Sequence, residues 1–235
     1  VAETAAGVRL AVIVAARNEA DRIGATVATL RRALPGAALW VADDASADGT
    51  AEVAMAAGAQ VVSRGRPHGK GANVTAAAEA ALSAEPAPEL VLLCDGDLGA
   101  SAAELPKLVE AVERGECDIA VAAFSRRLGG GFGVALGFAR WAIRRRCGLE
   151  TRAPISGQRA LRVDALRATL PFAHGYGIEV GMTIDAVRAG CRLREYELDL
   201  SHRATGRSLA GFAHRARQLL DFGRVYISRR RVKAK

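Results

Sequence analysis

Residues 89–98 read ELVLLCDGDL. The stretch 89–94 is a short, nearly unbroken apolar run, the pattern of a strand buried on both faces of a parallel sheet. It stops at Asp95-Gly96-Asp97, two carboxylates on one loop with a glycine that lets the backbone approach a ligand closely. Carboxylate oxygens so arranged suit a hard divalent cation bridging phosphates. Such a cation acts as a Lewis acid toward a departing nucleoside diphosphate. An Asp-x-Asp triplet alone also reads as a polar turn; its place at the end of an apolar strand favours metal.

The same punctuation recurs upstream. RLAVIVAA (9–16) reads as a strand and is followed by Arg17-Asn18-Glu19, then by helical spacing through Ile23, Val27, Leu30 and Leu34 up to Pro35-Gly36. ALWVA (38–42) reads as a second strand and runs into the turn-rich stretch 43–50, ADDASADGT with its leading alanine. There Asp43 and Asp44 can accept hydrogen bonds from a base or ribose. Asp48-Gly49 suits a tight turn, with Asp48 or Thr50 capping the next helix. A short helix (51–57), a strand (59–63), a Gly/Pro-rich loop (64–71) and an Ala-rich helix to about Ala84 complete the approach to residue 89. Strands alternating with helices predict a mostly parallel sheet flanked by helices. Ligands of such sheets sit beyond the strands' carboxyl ends. The polar clusters 17–19, 43–50 and 95–97 all fall there, which argues for one shared site.

Downstream, the pattern predicts a helix over about 101–114, a strand over 118–123, a glycine stretch (Gly129-Gly130-Gly131), a helix over about 134–147 ending in Arg144-Arg145-Arg146, and an edge strand at Leu198-Asp199-Leu200. No linker or repeat divides the 235 residues, so a single α/β domain is expected over 1–210, followed by a basic helical segment, 211–235. No apolar run reaches the roughly 18 residues of a membrane span. The first residues lack a signal-peptide pattern, and Cys94, Cys117, Cys147 and Cys191 show no metal or disulfide spacing. A cytoplasmic protein is the expectation.

The net charge of +8 is concentrated at the end: residues 200–235 hold ten Arg/Lys against Asp221 alone, so 1–199 carry −1. The basic segment reads either as a solvated tail or as a contact for an anionic membrane surface or phosphorylated substrate. Nucleic acid is disfavoured, because no stacking aromatics are interleaved with the charge. The stretch 132–146, FGVALGFARWAIRRR, can offer Phe132, Leu136, Phe138, Trp141 and Ile143 to a membrane interface, or pack them in a core. A peripheral position at the inner face of a membrane and a homodimer are both compatible with the sequence.

Gly69-Lys70-Gly71 lacks Walker spacing, though Lys70 can meet a phosphate as a point charge. No GxGxxG follows the first strand, which disfavours a dinucleotide oxidoreductase. His202-Arg203 and Arg207 combine a candidate metal ligand with guanidinium groups suited to phosphate.

In order along the chain, VIVAARNEADRI (12–23), ADDASADGT (42–50), GKGAN (69–73), LLCDGDL (92–98), ISGQRALR (155–162), GYGIEVGMTIDAVRAG (175–190) and SHRATGRS (201–208) together resemble the family 2 glycosyltransferases. Within them, the chain is similar to polyprenyl-phosphate sugar transferases and, through GYGIEVG and the following His, to glucosyl-3-phosphoglycerate synthases. The resemblance implies a GT-A sheet. It places Ala15, Arg17, Glu19, Asp43, Asp44, Lys70, Asp95 and Gly96 at a nucleotide-sugar donor, and Mg²⁺ or Mn²⁺ on Asp95, Asp97 and His202. It further implies phosphate or acceptor contacts at Arg126, Ser156, Gln158, Arg159, Arg203 and Arg207, with Asp97 and Glu179 catalytic. Gln158 departs from the Phe usual in the lipid-phosphate enzymes, which bears on the acceptor. No Glu-Asp base pair of the kind that activates sugar hydroxyls is found; a phosphate acceptor, already ionised, needs no strong base. The expected activity is metal-dependent transfer from a UDP- or GDP-sugar to a phosphate-bearing acceptor, a polyprenyl phosphate or a small soluble one. A sugar-phosphate nucleotidyltransferase would open with a Gly-rich loop where this chain has Ala15-Ala16-Arg17, and the intact acidic pair argues against a non-catalytic binding module.

Overall fold

The computed structural model describes residues 9–124, 133–200 and 209–230. Seven strands form one sheet in the order β3-β2-β1-β4-β6-β5-β7. These are β1 (Leu10–Ala16), β2 (Ala38–Asp43), β3 (Gln60–Ser63), β4 (Leu90–Asp95), β5 (Ile119–Phe124), β6 (Arg159–Arg162) and β7 (Leu193–Leu198). Neighbours pair in parallel except for β6, which runs antiparallel between β4 and β5.

The apolar runs of β1, β4 and β5 alternate between two covered faces, as strand geometry requires. Leu10, Val12 and Val14 meet Ile23, Val27 and Leu30 of α1 (Ile23–Ala33), with α4 (Pro106–Glu113) covering the same face through Leu108 and Val112. Ala11 and Ile13 face the opposite layer: Val74 and Ala78 of α3 (Lys70–Leu82), Leu166 of α6 (Val163–Thr169) and Met182 of α7 (Ile178–Arg188). The short α2 (Thr50–Ala56) links β2 to β3. Alanine dominates α3 because it lies close against the sheet, where a small side chain lets the helix approach.

The expected helix 101–114 is split. A 3₁₀ turn over Gly99–Glu104 precedes α4, which starts at Pro106, where a missing N–H is harmless. The edge strand ends at Leu198, so Asp199 and Leu200 lie beyond it. Strand β6 was not apparent in the sequence, being four residues long with Arg at both ends.

A third cluster joins α7 to α5 (Gly133–Cys147) and α8 (Leu209–Ser228): Ala139 and Ile143 pack with Val180, Ile184, Phe222 and Val225. The anticipated boundary at residue 210 thus falls at the start of a helix that is part of the core. Burying Phe222 contributes about 1.5–3 kcal/mol. Ile143, a candidate for a membrane interface, is buried, and Phe132 lies outside the described residues.

Candidate active site

Register brings the loops together. Ala15 stands opposite Asp95 and Ala16 opposite Asp43, so the ends of β1, β2 and β4 form one ledge. Because β6 runs backwards, Arg159 pairs with Leu93, and the turn Ser156–Gly157–Gln158 arrives at the same ledge.

The Asp95-Gly96-Asp97 loop is pinned at its glycine. Gly96 N–H donates to Ala15 O at 2.9 Å, and its carbonyl accepts from Thr26 Oγ1 at 2.7 Å. A Cβ there would come within 3.3 Å of Ala15 O and Ala16 Cβ and 3.1 Å of Ile23 Cδ1, so a side chain would force these neighbours to give by a few tenths of an ångström. The Asp95 carboxylate accepts from Lys70 Nζ at 2.7 Å and from Gln158 Nε2 at 2.7 Å, and Lys70 also donates to Glu179 Oε1 at 2.8 Å. Ser156 Oγ donates to Gln158 Oε1 at 3.1 Å, which orients the amide toward Asp95. A Cβ on Gly157 would lie 2.8 Å from both Lys70 Nζ and Asp95 Oδ2; bare backbone is what leaves room for the ion pair.

Lys70 is the first residue of α3, where the helix dipole disfavours a cation, while Glu179 sits in the first turn of α7, where it favours an anion. Burial works against the Lys70 ammonium, but Asp95 and then Glu179 outweigh it and hold its pKa above the ordinary value.

Asp44 accepts from the backbone N–H groups of His68 (2.7 Å) and Gly69 (3.0 Å), from Asn73 Nδ2, and from Arg17 Nη1 at 3.3 Å. It therefore sets the turn that delivers Lys70. Asp43 is buried and accepts from Ser46 and from Ser63 Oγ at 2.9 Å; it shapes the β2 turn and is absent from the cavity wall. Asp48 and Thr50 tie the second loop to the first, accepting from Ala20 N and Glu19 N. Asn18 and Ala45 adopt left-handed φ of 54° and 53° in these loops, a strained conformation that clusters at functional sites.

A cavity of about 2270 Å³ opens over the ledge. Ala15, Arg17, Glu19, Asp44, Lys70, Asp95, Gly96, Asp97, Ser156, Gln158 and Glu179 line one end. The other end lies between α5 and α8, with Leu136, Arg140, Trp141, Arg144, Arg217, Leu220, Phe222 and Arg224. Ordinary ligand pockets hold roughly 300–1,000 Å³, so the space exceeds that needed for one small molecule. The far wall includes Thr151–Ala153, held by Glu195, which accepts from Thr151 Oγ1 and from the N–H groups of Arg152 and Ala153. Burial alone would raise the Glu195 pKa; Thr151 and those N–H groups outweigh it and hold it low.

Arg159, expected at a phosphate, does not reach the cavity. It is 1% exposed, donates to Ser156 O at 2.8 Å and Thr183 Oγ1 at 2.9 Å, and its pKa is lowered by burial to about 10 despite Glu179 and Glu195. It buttresses the Ser156–Gln158 turn from beneath, because β6 alternation turns it inward. Arg126, His202, Arg203 and Arg207 lie outside the described residues. Among the described residues no cluster of three or more His, Cys, Asp or Glu side chains is poised for a metal. Asp95 and Asp97 do offer hard oxygen donors on the cavity floor, a set that fits Mg²⁺ or Mn²⁺. The sequence signal for the cavity arginines of α5 and α8 is only the basic run at 144–146 and the charge excess after residue 200.

The fold is similar to that of glucosyl-3-phosphoglycerate synthase from Mycobacterium tuberculosis in complex with Mn²⁺, uridine-diphosphate-glucose and glycerol 3-phosphate, with a TM-score of 0.74 and 27% identity over 95% of this chain and 80% of that one. The complex of that enzyme with Mg²⁺ and uridine-diphosphate gives a TM-score of 0.76 and 29% identity over the same shares. The chain is also 32% identical over 216 residues to an undecaprenyl-phosphate mannosyltransferase of Micrococcus luteus, covering 85% of this chain and 86% of that one. Fold and site thus define a nucleotide-sugar-dependent glycosyltransferase of the GT-A fold. The family model described as Glycosyl transferase family 2 matches residues 11–169, and the chain belongs to that family.

Proposed function

We propose that this chain transfers a sugar from a UDP- or GDP-sugar to the phosphate of a polyprenyl phosphate. The observation that carries the reading is the continuity of the cavity: it runs from the carboxylate ledge to a wall of arginines and apolar side chains between α5 and α8. A nucleotide-sugar suits the first end and a lipid phosphate the second. The mannosyltransferase of M. luteus, by its name, acts on undecaprenyl phosphate, which supports this acceptor class.

In the proposed reaction an oxygen of the acceptor phosphate attacks the anomeric carbon. The bond from that carbon to the donor diphosphate breaks, and the nucleoside diphosphate leaves with the electron pair. Asp95 and Asp97 would hold a divalent cation, Mg²⁺ or Mn²⁺, which when bound supplies charge neutralisation to the leaving diphosphate. Asp44 holds the 68–69 turn, and Lys70 faces the diphosphate from the start of α3. Gln158 and Glu179 hold Asp95 and Lys70 in place. Arg140, Arg144, Arg217 and Arg224 gather the acceptor phosphate. That group is ionised near neutral pH, so the site requires no strong base.

A second reading, transfer to a small soluble phosphate acceptor, is favoured by Gln158 and by those structural neighbours that were crystallised with glycerol 3-phosphate or phosphoglyceric acid. Purified protein with Mn²⁺ and a panel of UDP- and GDP-sugars, offered polyprenyl phosphate and 3-phosphoglycerate in parallel, decides between them. A lipid-linked sugar phosphate is the expected product. Turnover with 3-phosphoglycerate alone would transfer the assignment to the second reading.

A further inference from the structure

Among the described residues five large apolar side chains are exposed, and four of them lie on α5 and α8: Val134 (74%), Trp141 (43%), Leu220 (63%) and Ile227 (59%). They come in two pairs, each seven residues apart. That spacing is close to two helical turns, so each pair shares one face of its helix. The helices are packed together: the Trp141 and Tyr226 ring centroids are 4.7 Å apart, Phe138 lies 6.3 Å from Tyr226, and the Arg146 guanidinium stacks 3.6 Å above Tyr226. Trp141 and Leu220 also line the cavity, so each of the two exposed faces borders it. Single exposed apolar residues are ordinary; four on one helix pair are a patch.

The exposed charged side chains described on these two helices are all basic, while Glu150, also exposed at the cavity, lies beyond the end of α5. Arg140, Arg144 and Arg145 are exposed on α5, and Arg217, Arg224 and Arg230 on or just after α8. Helix α5 contains no acidic residue. The only acid in α8, Asp221, is buried and accepts from Tyr176 N–H and Arg224. No helix among the described residues is long and apolar enough to cross a membrane.

We propose that the shared face of α5 and α8 docks on an anionic bilayer, with Val134, Trp141, Leu220 and Ile227 entering the interface and the arginines meeting lipid phosphates. Apolar anchors flanked by arginines, with a Trp at the boundary, are the chemistry of a surface that lies in a membrane interface. The proposal rests on the reading of a lipid-phosphate acceptor and deepens it. A polyprenyl phosphate keeps its chain in the bilayer, so its phosphate can reach the arginine wall only if the cavity mouth sits at headgroup level.

Co-sedimentation of the full chain with phosphatidylcholine vesicles, with and without phosphatidylglycerol, tests this. Binding is expected only with phosphatidylglycerol, falling as salt rises, and brominated lipid should quench fluorescence that Trp141→Phe removes. Val134→Glu combined with Ile227→Glu, neither lining the cavity, should weaken vesicle binding roughly tenfold or more while leaving the melting temperature and donor hydrolysis unchanged. Absence of vesicle binding, or equal binding by the double variant, overturns the proposal. So does a dimer that the double variant dissociates, with no vesicle binding: the face would then belong to a second copy. Transfer to detergent-dispersed polyprenyl phosphate without vesicle binding would sink the docking surface and leave the acceptor assignment standing. Vesicle binding with no transfer to lipid would do the reverse.

Discussion

At the strand ends the polar side chains hold one another: Asp44 takes donors from His68, Gly69, Asn73 and Arg17, and Asp95 takes them from Lys70 and Gln158. Between α5 and α8 the wall is made of exposed arginines and rings that lean on each other. The first end is preorganised, with dipoles and charges set before a ligand arrives, which suits stabilising the charge of a leaving diphosphate without reorganisation. The second, under the proposed function, would select by charge and apolar contact rather than by a fixed set of hydrogen bonds. A diphosphate with defined geometry needs the former, and a long lipid that varies in position needs the latter.

The contrast is open to attack by substitution. The largest effect is expected for Asp97→Ala. Loss of a proposed metal-holding carboxylate removes several kcal/mol of charge stabilisation, roughly 10²–10³-fold in rate, with the fold intact by circular dichroism. Retained turnover would detach the ledge from the chemistry. Lys70→Met comes next: it leaves Asp95 and Glu179 facing one another without their cation. Breaking a fully buried pair costs about 3–5 kcal/mol. The Lys70 side chain is a quarter exposed, so a loss nearer the lower end is expected in thermal denaturation, together with weakened donor binding.

Gln158→Leu sharpens the division between the two ends. It leaves Asp95 Oδ2 and Ser156 Oγ without their partner, a penalty of about 1–3 kcal/mol, and should raise the donor KM. If the acceptor KM moved instead, Gln158 would belong to the acceptor end. Arg144→Ala should do the opposite of the expected Gln158 result, raising the acceptor KM several-fold with donor KM unchanged. The smallest effect concerns Glu195, whose pKa is held below its ordinary 4.5. Because the folded value is depressed, its stabilisation is full above pH 4.5 and is lost as pH falls through the folded value. Wild type should therefore exceed Glu195→Gln in stability by about 1 kcal/mol near neutrality, a gap that closes in acid. A gap constant with pH would show that Glu195 does not clamp the 151–153 wall as an ionised group.

The two ends also differ in how they could be read from the chain. Ledge residues stand at the ends of apolar strands, Asp43 closing β2 before Asp44 and Asp95 closing β4 before Gly96 and Asp97, so local pattern locates them. It does not reveal which way each points. Asp43 and Asp44 are adjacent and chemically identical, yet one is buried against Ser46 and Ser63 while the other faces the cavity. Arg159, which the resemblance assigns to a phosphate, lies beneath the floor, because alternation along β6 turns it inward.

What the sequence by itself determined is the parallel α/β sheet, the position of the acidic loops at its carboxyl ends and the membership of family 2. Each of these is written in short-range apolar periodicity and in motifs only a few residues long. What only the tertiary structure decided is the coupling of Lys70 to both Asp95 and Glu179, partners 25 and 109 residues away, and the meeting of α5 with α8 at the cavity mouth. Those contacts depend on helix packing and strand direction, and nothing in the local spacing of residues 70, 95 and 179 encodes them.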